Sequence, residues 1–158
     1  KMNLQILYEE IASDEGKRLS PYLGSQNHLT VGIGHLLTQD DPEYLWLAYD
    51  SDRDAPTFHT ITEDRCKELF ERDIMTAIQG CRHIYDDFDE FTDELQHILI
   101  NMVFQMGTGG VGKFKAMNKC IEDRDYVGAS KEMLDSKWSR QTPNRSKRLS
   151  SRMAALAE

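Results

Sequence analysis

Between Glu15 and Asp40 the chain has no acidic residue. Chemistry in that segment that needs two carboxylates must find the second elsewhere. Cysteine is also scarce: Cys66, Cys81 and Cys120 stand far apart, with no CxxC and no Cys/His spacing of a zinc site. An odd, scattered set excludes a disulfide framework and offers no metal site, so the three read as free thiols. No apolar run approaches the roughly 18 residues of a membrane span, so membrane insertion is not expected. Internal repeats and low-complexity linkers are absent too, and the chain reads as one domain, 1–158.

What remains is an ordinary globular composition. With 158 residues, 39% hydrophobic and 29% charged, the chain can bury a core without staples. The net charge of −8 is uneven: 86–94, "DDFDEFTDE", is acidic, while 137–152 holds six Lys/Arg and no acid. That basic stretch lacks interleaved aromatic platforms and any reading motif, so a nucleic-acid partner is not expected. "GTGGVGKF" fails as a phosphate loop, because no strand precedes it and Phe114 follows the lysine; a helix-terminating turn is expected. No residue pattern calls for a metal or cofactor.

Periodicity gives the layout. Leu4, Leu7, Tyr8, Ile11 and Glu15 share one helical face, and Gly16 offers a stop. Short alternating segments around Tyr22 and 30–35 predict a small β-hairpin region. "DDPEYLWLAY" predicts a short helix with Asp41 as N-cap and Pro42 in its first turn. A longer helix is expected from Thr62 to about Gly80, with Cys66, Leu69, Phe70, Ile74, Ala77 and Ile78 on one stripe. The rest should be helical. Leu95, Ile98, Leu99, Met102, Val103 and Met106 form a clean apolar face over 94–106, and Thr142-Pro143 should open a further helix. The class is α+β: a small β-containing lobe (about 16–60), a linking helix (62–80), and a helical lobe (82–158) with the N-terminal helix.

Glu15 is the leading candidate for chemistry. It continues the apolar stripe of the first helix at its C-terminal end, where burial and the helix dipole both favour the neutral acid that a proton donor needs. A glutamate turned to solvent or paired with Arg18 is the bland alternative. In 30–35, Val31, Ile33 and His35 should point one way and Thr30, Gly32 and Gly34 the other, leaving a nearly bare face with Thr30 as its polar handle. Glycines there also suit a bulge or close helix packing. His35, on the apolar side, needs a partner, and Asp73 on the long helix is the expected one, as a structural pair. Asn101, Phe104 and Gln105 share a face that suits either a sugar, with a flat ring beside amides, or an ordinary second packing surface.

These segments carry a resemblance. "DEG" (14–16), "TVGIGHLLT" (30–38), "NMVFQMG" (101–107) and "QTPNR" (141–145) closely resemble the phage-type lysozymes of T-even tailed phages, across most of the chain. The resemblance implies a two-lobed lysozyme fold that cleaves bacterial peptidoglycan between N-acetylmuramic acid and N-acetylglucosamine, with no metal or cofactor. It implies Glu15 as general acid and Thr30 near the attacking water. It further implies Leu36, Phe104, Gln105 and Arg145 as cleft residues, with Arg145 reaching toward the acid. Met117 and Glu132 stand where smaller polar sugar-contacting residues are usual.

The family pattern places an aspartate where this chain has Gly24, and the spacing from Glu15 to Thr30 is unchanged. Three outcomes stay open. The chain hydrolyses the wall with Thr30, Ser25, Gln26 or His28 placing the water; or Glu15 alone drives a transglycosylase-like attack by the 6-hydroxyl; or the fold is a non-enzymatic wall-binding or baseplate module. The expected partner is the peptidoglycan glycan strand, met by a monomer. The protein is expected in the host bacterial cytoplasm until released through a separate membrane pore, or in the virion tail or baseplate if it is part of a larger protein.

Overall fold

The computed structural model describes residues 2–24, 28–44 and 60–158. The chain divides into two compact units, residues 8–73 and residues 1–7 with 74–158. It is α+β, mostly helical with one three-stranded sheet.

In the 8–73 unit, helix α1 (Leu4–Glu15) ends where Gly16 takes the left-handed φ of 80° that a side chain would resist. Strands β1 (Arg18–Leu23), β2 (Leu29–Gly32) and β3 (His35–Leu36) form an antiparallel sheet in the order β1-β2-β3. The hairpin is present, but the unbroken alternation expected through 30–35 is corrected. It breaks at a turn over Ile33-Gly34, with Gly32 at φ 67° and Gly34 at φ 66°. Val31, Ile33 and His35 are all buried, but the glycine side is not bare. A Cβ on Gly32 would lie 3.3 Å from Cys66 Sγ, and one on Gly34 would lie 3.0 Å from Glu15 Oε1.

Helix α2 (Glu63–Ile84) starts as expected, with Thr62 Oγ1 accepting from the Arg65 N–H at 3.0 Å. It runs past Gly80, which serves packing rather than termination. A Cβ there would overlap Thr108 Oγ1 and stand 3.1 Å from Val103 Cγ1. The short helix expected after Asp41 lies, beyond Tyr44, outside the described residues.

The other unit is helical throughout. A 3-10 turn (Phe88–Glu90) precedes α3 (Asp93–Gly112), whose N-cap Thr92 accepts from the Leu95 N–H. Helix α3 is buried nearly all round from Leu95 to Val103, not on one face, so its polar residues need partners. Gln96 donates to the Phe88 carbonyl, and His97 Nε2 accepts from the Asn3 N–H. The glycine-rich stretch does not end the helix. Gly107 breaks it with φ 78° and ψ 167°, and helix resumes to Gly112. Helices α4 (Lys115–Glu122), α5 (Tyr126–Leu134), α6 (Lys137–Gln141) and α7 (Pro143–Ala155) complete the unit. Met133, Leu149 and Met153 are buried where α5 packs on α7. Pro143 sits in the first turn of α7, but the Thr142 hydroxyl donates back to the Trp138 carbonyl instead of capping.

Gly80→Ala gains up to about 1 kcal/mol of helix propensity but overpacks a close helix crossing, a cost of about 1–3 kcal/mol. Urea unfolding is expected to show a net loss. Adding Thr108→Ala should recover most of it, and additive losses would refute the contact.

Candidate functional site

In the 8–73 unit the candidate residues gather around the end of α1 and the sheet. Glu15 is the last residue of α1 and half-buried. The positive φ of Gly34 lets the turn between β2 and β3 come down on the Glu15 carboxyl with no Cβ between them. Arg18, considered as a partner for Glu15, lies instead over the Tyr22 ring, 4.2 Å from its centroid. Thr30 sits at the centre of the sheet, opposite Tyr22 on β1 and Leu36 on β3. Directly opposed residues share a face, so Tyr22, Thr30 and Leu36 form one row across the three strands. Thr30 is buried and Leu36 exposed.

The Thr30 hydroxyl donates to the His28 carbonyl at 3.0 Å. The same carbonyl accepts the Gly24 N–H at 2.7 Å. With its hydrogen committed, Thr30 Oγ1 offers only lone pairs to anything else. Position 24 faces that oxygen, since a Cβ on Gly24 would lie 2.8 Å from Thr30 Oγ1. Residues 25–27, and with them Ser25 and Gln26, lie outside the described residues.

His35 holds two close polar contacts in this unit. Its Nδ1 lies 2.7 Å from Asp73 Oδ2 and its Nε2 lies 2.9 Å from Asp41 Oδ2. Asp41 is buried, accepts the Thr38 N–H at 2.9 Å, and has Arg72 at 4.0 Å. The sequence suggested Asp73 and missed Asp41, because Asp41 looked like the cap of the following helix. Burial pulls the His35 pKa down, but the two carboxylates outweigh it and raise it above the ordinary value. Burial likewise pushes Asp41 up, and the Thr38 N–H, His35 and Arg72 together bring it below the ordinary value.

In the other unit, Phe104 and Gln105 are half-buried on α3. Gln105 Oε1 accepts from Trp138 Nε1 at 2.7 Å, and Trp138 meets Phe114 edge-on with centroids 6.1 Å apart. Trp138 had not been singled out; its interest lies in this bond to Gln105, which sequence spacing does not reveal. Asn101, expected on the same face as Phe104 and Gln105, is fully buried. Its Oδ1 accepts from Arg145 Nε at 2.9 Å, so Asn101 anchors a buried arginine rather than offering an amide to a ligand. Met117 is buried as well, and Glu132 is half-buried. Among the described residues no group of His, Cys, Asp and Glu is arranged to hold a metal ion.

A family model for phage lysozyme matches residues 12–155. The chain is 34% identical over 149 residues to probable T4-type lysozyme 1 of Dictyostelium discoideum, covering 86% of each chain. It is 31% identical over 150 residues to the pre-baseplate central spike protein Gp5 of Enterobacteria phage T4, covering 89% of this chain and 26% of that protein. It is 26% identical to peptidoglycan hydrolase gp36 of Pseudomonas phage phiKMV, covering 92% of this chain and 15% of that protein.

The His35 cluster gives a pH signature. A raised histidine pKa contributes stability that is complete below about pH 6.5 and is lost as pH rises through the folded value. The lowered Asp41 pKa contributes above about pH 4 and is lost as pH falls through its folded value. Asp41→Asn is expected to cost about 1–3 kcal/mol of stability, most between about pH 4 and the raised folded value of His35 and less above it, where the Thr38 N–H and Arg72 still favour the carboxylate. A pH-independent loss across Tm scans would refute the coupling.

Proposed function

Because the chain belongs to the phage lysozyme family, we propose that it cleaves bacterial peptidoglycan at the β-1,4 bond between N-acetylmuramic acid and N-acetylglucosamine. Family membership supports wall cleavage in general. The observation that supports a working acid is the placement of Glu15: half-buried, at a helix end, with the bare Gly34 turn against its carboxyl. A carboxyl held at that point is the group proposed to pass a proton to the leaving oxygen. Leu36, Phe104, Gln105 and Arg145 are proposed to bind the sugar chain, through apolar contact and hydrogen bonds.

In hydrolysis, the Glu15 proton passes to the glycosidic oxygen, water oxygen bonds to the anomeric carbon, and the proton released by water needs an acceptor. Thr30 is proposed to orient that water through the lone pairs left by its bond to His28. A hydroxyl cannot serve as the acceptor at neutral pH, so without an acid at position 24 the step lacks its usual base. The loss is worth on the order of 10²–10⁴-fold.

That gap bears less on a second outcome. Glu15, once deprotonated, can take the proton of the substrate's own 6-hydroxyl while that oxygen bonds to the anomeric carbon, giving an anhydro end without water. We place hydrolysis first. The protein is proposed to act as a monomer on the glycan strand. The match to a part of the central spike protein supports a tail-associated setting beside a free enzyme.

Mass spectrometry of digested wall glycan separates these outcomes. Reducing muramic ends that disappear with Glu15→Gln are expected, and anhydro ends would install the second route. Gly24→Asp should raise hydrolysis by on the order of 10²-fold or more, once Thr30 has given way to the new side chain. Glycan left intact by the parent chain would refute the enzymatic proposal.

A further inference from the structure

A groove of about 890 Å³ lies within the unit of residues 1–7 and 74–158, apart from every residue assigned above to chemistry or sugar binding. Its volume falls in the range of ligand sites, roughly 300–1,000 Å³. One wall is the stretch of α3 after the Gly107 break. A Cβ on Gly109 or Gly112 would meet nothing within 4 Å, so the backbone there is open to an approaching chain.

Polar groups line the same groove. Tyr85 is buried and donates its phenol hydrogen to Asn118 Oδ1 at 2.5 Å, while Asn118 Nδ2 donates to the Val111 carbonyl at 3.1 Å. An amide side chain has two donor hydrogens and two lone pairs, so Asn118 keeps one of each for a ligand amide. Lys115 and Lys119 stand one turn apart on α4, Asp86 and Asp87 come from the loop after α2, and Glu122 also lines the groove; Asp87 is paired with Arg124. Lys119 shares an exposed pair with Asp123 at 3.4 Å. The Lys115 ammonium and the Asp86 carboxylate carry no ion pair with any described residue.

Charges of both signs, a half-used amide and open backbone share this lining. They match a short peptide bearing carboxylates and a free ammonium. We propose that this groove is an accessory site for the stem peptide of peptidoglycan, an assignment that rests on the wall-cleaving function proposed above. Carboxylates of the peptide pair with Lys115 and Lys119, its ammonium with Asp86, and a peptide amide with Asn118.

The test is an NMR titration of the isotope-labelled chain with a synthetic, sugar-free stem tetrapeptide containing diaminopimelate. Saturable shifts are expected at the amides of Gly109, Gly112 and Lys119, with Kd on the order of 1 mM. Lys115→Glu with Lys119→Glu should weaken binding at least tenfold while the remaining spectrum shows the fold intact. Asp86→Asn should weaken binding of a peptide with a free ammonium and not of its acetylated form. No shifts at about 10 mM peptide, which is ten times that Kd, or shifts confined to other residues, would overturn the assignment. Cleavage of peptide-stripped glycan is measured alongside. Its failure would remove the catalytic proposal, whereas normal cleavage without groove shifts would remove only the groove.

Discussion

The sheet unit is organised around the His35 ring, which has a carboxylate on each nitrogen. A neutral imidazole has one donor, so one of the two contacts would set acceptor against acceptor; only the imidazolium satisfies both. The charge therefore fixes β3 to α2 through Asp73 and to the following turn through Asp41. β3 is two residues long, so its ladder to β2 supplies few further hydrogen bonds. With β3 placed, the Ile33-Gly34 turn falls on Glu15 and Thr30 takes the middle of the cross-strand row. A buried ion pair adds little net stability over apolar packing, but losing one member is costly. Its contribution is geometry, which the proton donor proposed at Glu15 would need more than raw stability.

Missing side chains shape the same unit. Gly34 lets backbone meet a carboxyl, and Gly32 lets it meet Cys66. Gly24 differs, because its backbone conformation does not demand glycine: it is not among the positive-φ residues. What its bareness changes is the space over Thr30 Oγ1, which no side chain from position 24 fills. A hydroxyl whose hydrogen is already bound can orient a water molecule but cannot remove its proton. For the role proposed for Thr30, the arrangement supplies orientation without a base, and these two properties are separable.

Much of this arrangement was visible in the sequence where local rules decide it. The stripe from Leu4 to Glu15 and the Gly16 stop gave α1, and Thr62 marked the start of α2. The failures share a cause: they depend on what lies across space. Glycines spaced two apart read as one face of a strand, although their positive φ values fold the chain back instead. Gly80 looked like a helix end but is a crossing point with Thr108. Asp41 before a proline looked like a cap, while its carboxylate also serves His35. Asn101 on an apparent polar face is buried because Arg145, forty-four positions on, reaches it. The burial of α3 on all sides was hidden by Gln96, His97 and Asn101, whose polarity is satisfied by remote partners.

A net charge of −8 seems ill suited to an anionic cell envelope. Screening changes that judgement. At physiological ionic strength the Debye length is about 8 Å, so a polymer at the surface responds to nearby charges rather than to the sum. Lys137, Arg140, Lys147 and Arg148 are exposed on α6 and α7, in a stretch without acids, while the acidic run follows α2 and forms the 3-10 turn. Within that acidic run, Asp87 pairs with Arg124 at 2.8 Å and Asp89 with Arg82 at 2.9 Å, which offsets part of its charge locally. On the basic face Arg152 pairs with Glu94, while Lys137, Arg140 and Lys147 form no ion pair with any described residue. The surface field is therefore more favourable to an anionic polymer on α6 and α7 than the total charge implies, and the acidic balance is compatible with wall binding.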